Sequence, residues 1–252
     1  MNMSIADSNR ATNVIVASHE RSGTHFLINT LTRNFGFVPR LINSDINTGA
    51  DFYFLRELNI YLKCIRYAGG KRIIKEHHHL GFFDGLFDKL RENFIIFYIY
   101  RNPADVICSF WRFVLNSERR EGPRTRAPDA FMRAQPCGGM LRYQWMQHAT
   151  ILDRWRSHVD EWTTRGVDEA GAYLIRYEDL NLDFEATVAR IASRLSAPCP
   201  KAVRPSPSEN VMLAGPGEVG GFRKFFNADD IALIRQMTEP TLRRLDLVRY
   251  VS

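Results

Sequence analysis

Three β-branched residues in a row, Val14-Ile15-Val16, are followed by Gly23 with small hydroxylic neighbours and then by apolar residues at helical spacing, Phe26, Leu27 and Leu31. The stretch Val14–Leu31 reads as strand, tight loop and helix. A helix N-terminus presents unpaired N–H groups and a partial positive charge, so Ser22, Gly23 and Thr24 placed there suit a phosphate, and Arg21 adds a full charge at the mouth. From this stretch alone the alternative is an ordinary strand-to-helix turn whose Ser or Thr is an N-cap.

The rest of the chain narrows the choice. An ATP-binding loop of the form G-x-x-x-x-G-K-[ST] needs a lysine and a hydroxyl after its last glycine, and no Lys-Ser or Lys-Thr pair follows Gly23. A second apolar run, Phe94–Tyr100 (F-I-I-F-Y-I-Y), reads as a strand central to a sheet. It ends in Arg101-Asn102-Pro103, where an ATPase strand would be expected to end in an acidic residue that helps hold Mg²⁺. An arginine at that point argues for direct anion binding, and Pro103 suits the first turn of the helix that follows. With 252 residues, 45% hydrophobic and 25% charged, the chain is long enough to bury a sizeable core and reads as one α/β domain.

A net charge of +6 favours an anionic partner, but no helix-turn-helix, zinc-finger or RNA-binding aromatic signature accompanies it, so no nucleic acid is expected. The four cysteines are widely spaced and indicate neither a zinc site nor a disulfide framework. Residues 1–13 read as a polar, flexible tail without the apolar core of a signal peptide, and residues 14–252 as the folded domain. No run is long enough to span a bilayer. These features predict a soluble, cytoplasmic protein.

Arg72-Ile73-Ile74-Lys75 reads as a short strand ending in Glu76-His77-His78-His79. Ligands bind at the carboxyl ends of strands in open α/β sheets, so this run has a structural reason to face a site. A surface run or an adventitious metal site is the competing reading. On a strand only His77 and His79 would share a side, and no carboxylate or cysteine completes a recognisable ligand set.

Glu20–Phe26 (E-R-S-G-T-H-F) resembles the 5′-phosphosulfate loop, close to P-K-S-G-T-T-W, of the sulfotransferases that use 3′-phosphoadenosine 5′-phosphosulfate (PAPS). It keeps the S-G-T core, with Arg21 for the family lysine and Phe26 for the tryptophan. Tyr100–Ser109 (Y-R-N-P-A-D-V-I-C-S) resembles the family's 3′-phosphate motif R-N-P-x-D-x-x-x-S, the most specific single match in the chain. Lys75-Glu76-His77 matches the family's K-x-H, and Arg176–Leu180 (R-Y-E-D-L) before an amphipathic helix is a further, less specific likeness. The resemblance covers most of Val14–Phe226.

That resemblance implies a single α/β domain with a central, mainly parallel sheet flanked by helices and a P-loop-like phosphate-binding loop. It implies transfer of a sulfuryl group from PAPS, without a metal, to a hydroxyl or amine. His77 is implied as the general base, with His79 its rival, and Arg21 as the stabiliser of the leaving group, assisted by Lys75. It further implies that Arg21, Ser22, Gly23, Thr24, His25 and Phe26 hold the 5′ end and adenine, that Arg101 and Ser109 contact the 3′-phosphate, and that Tyr177 lies near the adenine.

The C-terminal cofactor loop of the family, approximately R-K-G-x-x-G-x-W-[K/R]-x-x-F, is met only in part. Gly215-Pro216 stand where the Arg-Lys pair is expected and Phe222 replaces the tryptophan, while Arg223 and Lys224 are implied to compensate. The acceptor, a small molecule or a glycan, is not encoded in any spacing, and neither is the oligomeric state. Asp51–Tyr67 alternates aromatic and aliphatic residues with charges at roughly helical spacing, as core packing would, with an acceptor pocket as the alternative. The resemblance places the acceptor between Phe52–Tyr67 and the irregular, arginine-rich segment Asn116–Gly139, for which a solvated basic loop is the alternative. Met140–Trp162 is expected to be helical, as is a final helix from Asn227 to Met237. A nucleotide-dependent kinase and a degenerate nucleotide-binding module are the competing functions.

Overall fold

The computed structural model describes residues 13–39, 56, 58–60, 62, 71–144, 146–199, 201–206 and 217–252. Residues 1–12 of the expected N-terminal tail, most of Asp51–Tyr67 and the pair Gly215-Pro216 lie outside the described residues, and Asn13, the tail's last residue, belongs to the first strand. Leu58 and Leu62, from the expected aromatic-aliphatic stripe, are buried in the core.

Five strands form one sheet in the order β2-β3-β1-β4-β5, and every pairing is parallel. They are β1 (Asn13–Ala17), β2 (Val38–Pro39), β3 (Arg72–Glu76), β4 (Phe94–Tyr100) and β5 (Tyr173–Arg176). The middle strand is β1, and β4, expected to be central, lies beside it between β1 and β5. Both need apolar residues on two faces, which is why they read as unbroken β-branched and aromatic runs.

Alternation along the strands divides the core. Val14, Val16, Ile73, Phe97, Ile99 and Ile175 face a layer built by α1 (Thr24–Phe35), with Leu27, Ile28 and Leu31, and by a second helix (Phe184–Leu195) carrying Val188 and Ile191. Ile15, Ala17, Ile74, Ile96 and Tyr98 face the opposite layer. The resulting helix-sheet-helix sandwich leaves the carboxyl ends of β1, β3 and β4 along one edge, where the loops carrying Arg21, His77 and Arg101 emerge.

The remaining helices follow in chain order. After α1 come α2 (Phe87–Asn93) and α3 (Pro103–Asn116), the latter with Pro103 in its first turn and the Asn102 side chain accepting from the Asp105 N–H. The arginine-rich segment, expected to be irregular, contains one short helix, α4 (Pro128–Arg133). The expected helix over Met140–Trp162 is two pieces. A 3₁₀ stretch covers Gly138–Tyr143, and α5 (Ile151–Thr163) begins where the Thr150 hydroxyl caps the Asp153 N–H at 3.0 Å. The Ile151 N–H is drawn off to the Ala134 carbonyl, so a tertiary bond sets the boundary.

Beyond α5 lie α6 (Arg165–Asp168), α7 (Tyr177–Leu182), α8 (Phe184–Leu195) and α9 (Ala228–Arg244). The last runs a further seven residues past Met237, through Pro240. Proline forfeits a helical hydrogen bond. Here tertiary contacts hold the turn after it: Leu242 is buried, the Thr241 hydroxyl donates to Asp160 at 2.7 Å and Arg244 donates to the Thr163 hydroxyl at 2.6 Å. Among the described residues no helix is long and apolar enough to cross a membrane.

Candidate active site

The loop after β1 departs from ordinary backbone at two points. Arg21 has φ 67° and Gly23 φ 103°, and Gly23 starts α1 without any side-chain capping bond and with no acidic residue in the first turn. The leading N–H groups of α1 therefore keep their affinity for an anion. Glycine is required at position 23 twice over. A Cβ there would stand 2.3 Å from Cδ2 of Tyr177, besides the cost of the left-handed conformation.

Around this loop the chain gathers positive charge. Arg21 donates from Nε to the Ser109 hydroxyl at 3.2 Å and lies over the Phe113 ring at 5.2 Å. Burial, then the neighbouring Arg101 and Arg112, push its guanidinium down to about 10. The same cleft is lined by Lys75, His25 and Phe26, and burial together with Lys75 and Arg21 pushes His25 down to about 4. Cations that depress one another's protonation mark a place where an anion lowers the energy. The Ser22 hydroxyl and the Arg101 Nε are buried and have no hydrogen-bond partner among the described residues.

Arg101 is held from several sides. Its guanidinium stacks on the Tyr177 ring at 4.2 Å, donates to the Glu218 carbonyl at 2.7 Å and lies 3.3 Å from Asp105. The Asp105 carboxylate in turn accepts from the backbone N–H groups of Gly220 at 2.8 Å and Phe222 at 3.1 Å. Glu178 accepts from the Asn102 backbone at 2.9 Å. Three segments far apart in sequence, around Asn102, Glu178 and Gly220, are thereby locked into one wall.

Of the remaining residues expected to hold the cofactor, Thr24 is buried at the start of α1 with its hydroxyl 2.7 Å from that of Ser18. Phe26 stacks on Phe184 with ring centroids 6.1 Å apart and meets Tyr177 edge-on. Tyr177 lines the cleft and donates to the Gly217 carbonyl at 2.6 Å. Phe222 and Lys224 line an adjoining chamber, where Lys224 pairs with Glu218 at 2.6 Å. Arg223 goes elsewhere: its Nε donates to the Ser252 carbonyl at 2.9 Å, outside the residues lining either space. The resemblance gave Arg223 a cofactor role because it matches the basic position after the family tryptophan, with Lys224 beside it, whereas the 3₁₀ turn Gly221–Lys224 sends the two side chains apart.

The histidine run is sorted by its contacts. His77 lines the cleft and its Nδ1 lies 2.9 Å from the Ser18 carbonyl oxygen, which can only accept. The proton therefore sits on Nδ1, and Nε2 keeps its lone pair. Burial and then Lys75 hold His77 well below the usual imidazole value, so the ring is neutral. Its backbone is fixed as well: Glu76 accepts from the His77 N–H at 2.8 Å, and His158 donates from Nε2 to the His77 carbonyl at 3.1 Å. His78 stacks on Phe82, and His79 is buried against His148 beside Glu161, neither of them lining the cleft.

Several lining residues escaped the sequence reading. Phe110 and Phe113 lie on α3 and wall the cleft as well. Met140, Arg142 and Tyr143 come from just beyond the arginine-rich segment, and Glu121, paired with Arg142 at 2.7 Å, comes from within it. That segment's ends are pinned by the Gly139 N–H on the Arg120 carbonyl and the Met140 N–H on the Glu121 carbonyl. Of its arginines, Arg124 and Arg133 turn to the Ser117 carbonyl and to Asp230. Nothing local in the sequence distinguishes Arg142 from them. Behind the loop, Arg154 forms a bidentate pair with Glu20 at 2.8 Å and donates to His19 Nε2 at 2.9 Å. Burial alone would raise the Glu20 carboxyl, but Arg154 holds it well below the usual carboxylate range.

Comparison with known proteins bears on the family and the fold. Residues 11–206 match the family model described as "Sulfotransferase domain". No curated protein matches the sequence significantly. Among solved structures, the fold is shared with the mouse sulfotransferase SULT7A1 complexed with PAP, at 17% identity over 96% of this chain and 90% of that one, TM-score 0.64. It is shared also with retinol dehydratase in complex with androsterone and the inactive cofactor PAP, at 16% identity over 92% of this chain and 81% of that one, TM-score 0.53. A sulfotransferase from Alicyclobacillus acidocaldarius matches at 17% identity over 90% of this chain and 96% of that one, TM-score 0.52.

Proposed function

The chain belongs to the sulfotransferase domain family, and on that premise we propose that it moves a sulfuryl group from PAPS to the hydroxyl or amine of a small-molecule or glycan acceptor, with His77 as general base. The observation that carries this reading is the pairing, in one cleft, of a neutral imidazole whose Nε2 lone pair is available with a cationic cradle of Arg21, Lys75 and the uncapped start of α1. Bound PAPS would supply the sulfuryl group and depart as adenosine 3′,5′-bisphosphate (PAP).

The residues present fit such a group. The unpartnered Ser22 hydroxyl and Arg101 Nε, and the start of α1 left without a side-chain cap, are features that an anionic nucleotide satisfies. Arg21, Ser22, Gly23, Thr24 and His25 would hold the 5′ end, Arg101 and Ser109 the 3′-phosphate, and Phe26 and Tyr177 the base. His77 Nε2 takes the acceptor's proton as its oxygen or nitrogen becomes nucleophilic. Arg21, with Lys75 beside it, offers preorganised positive charge to the oxygen on which negative charge grows, in surroundings where burial strengthens that attraction. The Phe110, Phe113, Met140 and Tyr143 side chains give the acceptor an apolar wall and exclude water.

The test is thermal unfolding with PAP and with ATP, each with and without Mg²⁺, followed by PAPS turnover over a panel of alcohols, phenols and amines. At 100 times its Kd, PAP adds about 2.7 kcal/mol, a rise of roughly 5 to 10 °C for a chain of this size. A rise with PAP that does not depend on Mg²⁺, together with acceptor-dependent release of PAP, is the expected result. A rise with ATP and Mg²⁺ alone would replace the reading by a kinase, and PAP binding without transfer to any acceptor by a binding module.

A further inference from the structure

The chamber next to the main cleft shares Arg21, Arg101 and Ser109 with it and adds a residue that no sequence motif marks, Arg112. Arg112 lies on α3 three residues after Ser109, so the two project from the same face of the helix into this chamber. The carboxylates nearby are already engaged. Asp105 accepts from the backbone of Gly220 and Phe222 and from the Asn102 side chain, and Glu218 accepts from Lys224. Among the described residues Arg112 has no ion-pair partner, and it stands close enough to Arg21 to lower that group's hold on its proton.

A phosphate monoester carries close to two negative charges near neutral pH and asks for more than one cation. The sequence lacks a basic pair at 215–216, the place from which the C-terminal loop would be expected to supply one, and the Arg223 guanidinium is taken by the Ser252 carbonyl. We propose that Arg112 is the cation that completes the site for the nucleotide's 3′-phosphate, acting from α3 beside Arg101 and Ser109. The inference rests on the functional reading above. Arg112 confers discrimination between a 3′-phosphorylated adenine nucleotide and one that lacks that phosphate. Nothing marks it in the sequence, because a lone half-buried arginine on an amphipathic helix belongs to no motif.

The experiment is calorimetric titration of the full chain, wild type and Arg112→Ala and Arg112→Lys variants, with PAP and with adenosine 5′-phosphate. Wild type is expected to bind PAP more tightly than the monophosphate. Arg112→Ala should weaken PAP at least about tenfold while leaving the monophosphate unchanged, and Arg112→Lys should recover part of the loss, since an ammonium still meets phosphate as a point charge. Preference for PAP that survives in Arg112→Ala overturns the assignment, and so does an equal loss for both ligands, which would mark a structural effect. A wild type that does not prefer PAP at all would instead sink the PAPS-dependent reading on which the assignment stands.

Discussion

The imidazole of His77 and the backbone carbonyl of Ser18 are joined by a hydrogen bond of 2.9 Å. Because a carbonyl accepts and never donates, this contact between the ends of β3 and β1 decides the tautomer and leaves Nε2 to receive a proton. It cannot be removed by substituting Ser18, since the acceptor is main chain. The His77 ring is thereby oriented by the sheet itself.

Replacing His77 by glutamine should lower kcat about 10²- to 10⁴-fold while PAP affinity is largely kept. Turnover and calorimetry on the same preparation separate the two. Burial and Lys75 hold the imidazole well below 6.5, so the catalytic form is already complete at neutral pH. The acid limb of kcat/KM should accordingly fall below the ordinary imidazole range. An inflection at or above 6.5 would assign the base elsewhere.

In the proposed mechanism Arg21 meets the charge that grows in the transition state. Arg21→Ala should cost about 2.7 to 4 kcal/mol, or roughly 10²- to 10³-fold in kcat, as for other preorganised donors to a developing anion. Arg21→Lys should retain part of the rate, because an ammonium supplies the charge without the planar fork that reaches the Ser109 hydroxyl. Equal loss in both variants would point to the fork, and no loss in either would take Arg21 out of the mechanism.

Gly23 is required by space as well as by backbone. Gly23→Ala places a Cβ 2.3 Å from the Tyr177 ring at φ 103° and should destabilise the fold by about 1 to 3 kcal/mol. Displacement of Tyr177 should weaken PAP binding in the same variant. The denaturant midpoint and a PAP titration measure the two effects, and an unchanged midpoint would mean that the ring moves aside freely.

Acid should unfold the protein early. His19, His77 and His158 are buried and neutral, with His19 pushed down to about 3 by burial, while an unfolded imidazole titrates near 6.5. The folded values are depressed, so below 6.5 the unfolded chain binds more protons than the folded one. The stability each neutral ring contributes is complete above that pH and is lost as the pH falls, at about 1.4 kcal/mol per pH unit for each ring. Thermal unfolding midpoints followed from neutral to mildly acid pH should fall steadily, and a flat profile would contradict the neutral assignment.

The strands were legible in the sequence because their signal is local: Val14-Ile15-Val16 and Phe94–Tyr100 are apolar on both faces, as buried parallel strands must be, and Gly23 and Pro103 punctuate them. The likeness to the sulfotransferase motifs grouped Arg21 to Phe26 with Arg101 and Ser109, and the structure brings Arg21, Gly23, Thr24, His25, Phe26, Arg101 and Ser109 to the lining of one cleft. What the sequence could not rank was His77 against His79. A strand puts both on one side, and only the departure of the chain after Glu76 sends one to the cleft and the other against His148. Nor could it show that Asp105 reaches across to the N–H groups of Gly220 and Phe222, that Arg223 turns away, or that Glu121 and Arg142 meet at the edge of the cleft. These are contacts between segments separated by long stretches of chain, set by how helices pack on a twisted sheet, and no spacing within one segment encodes them.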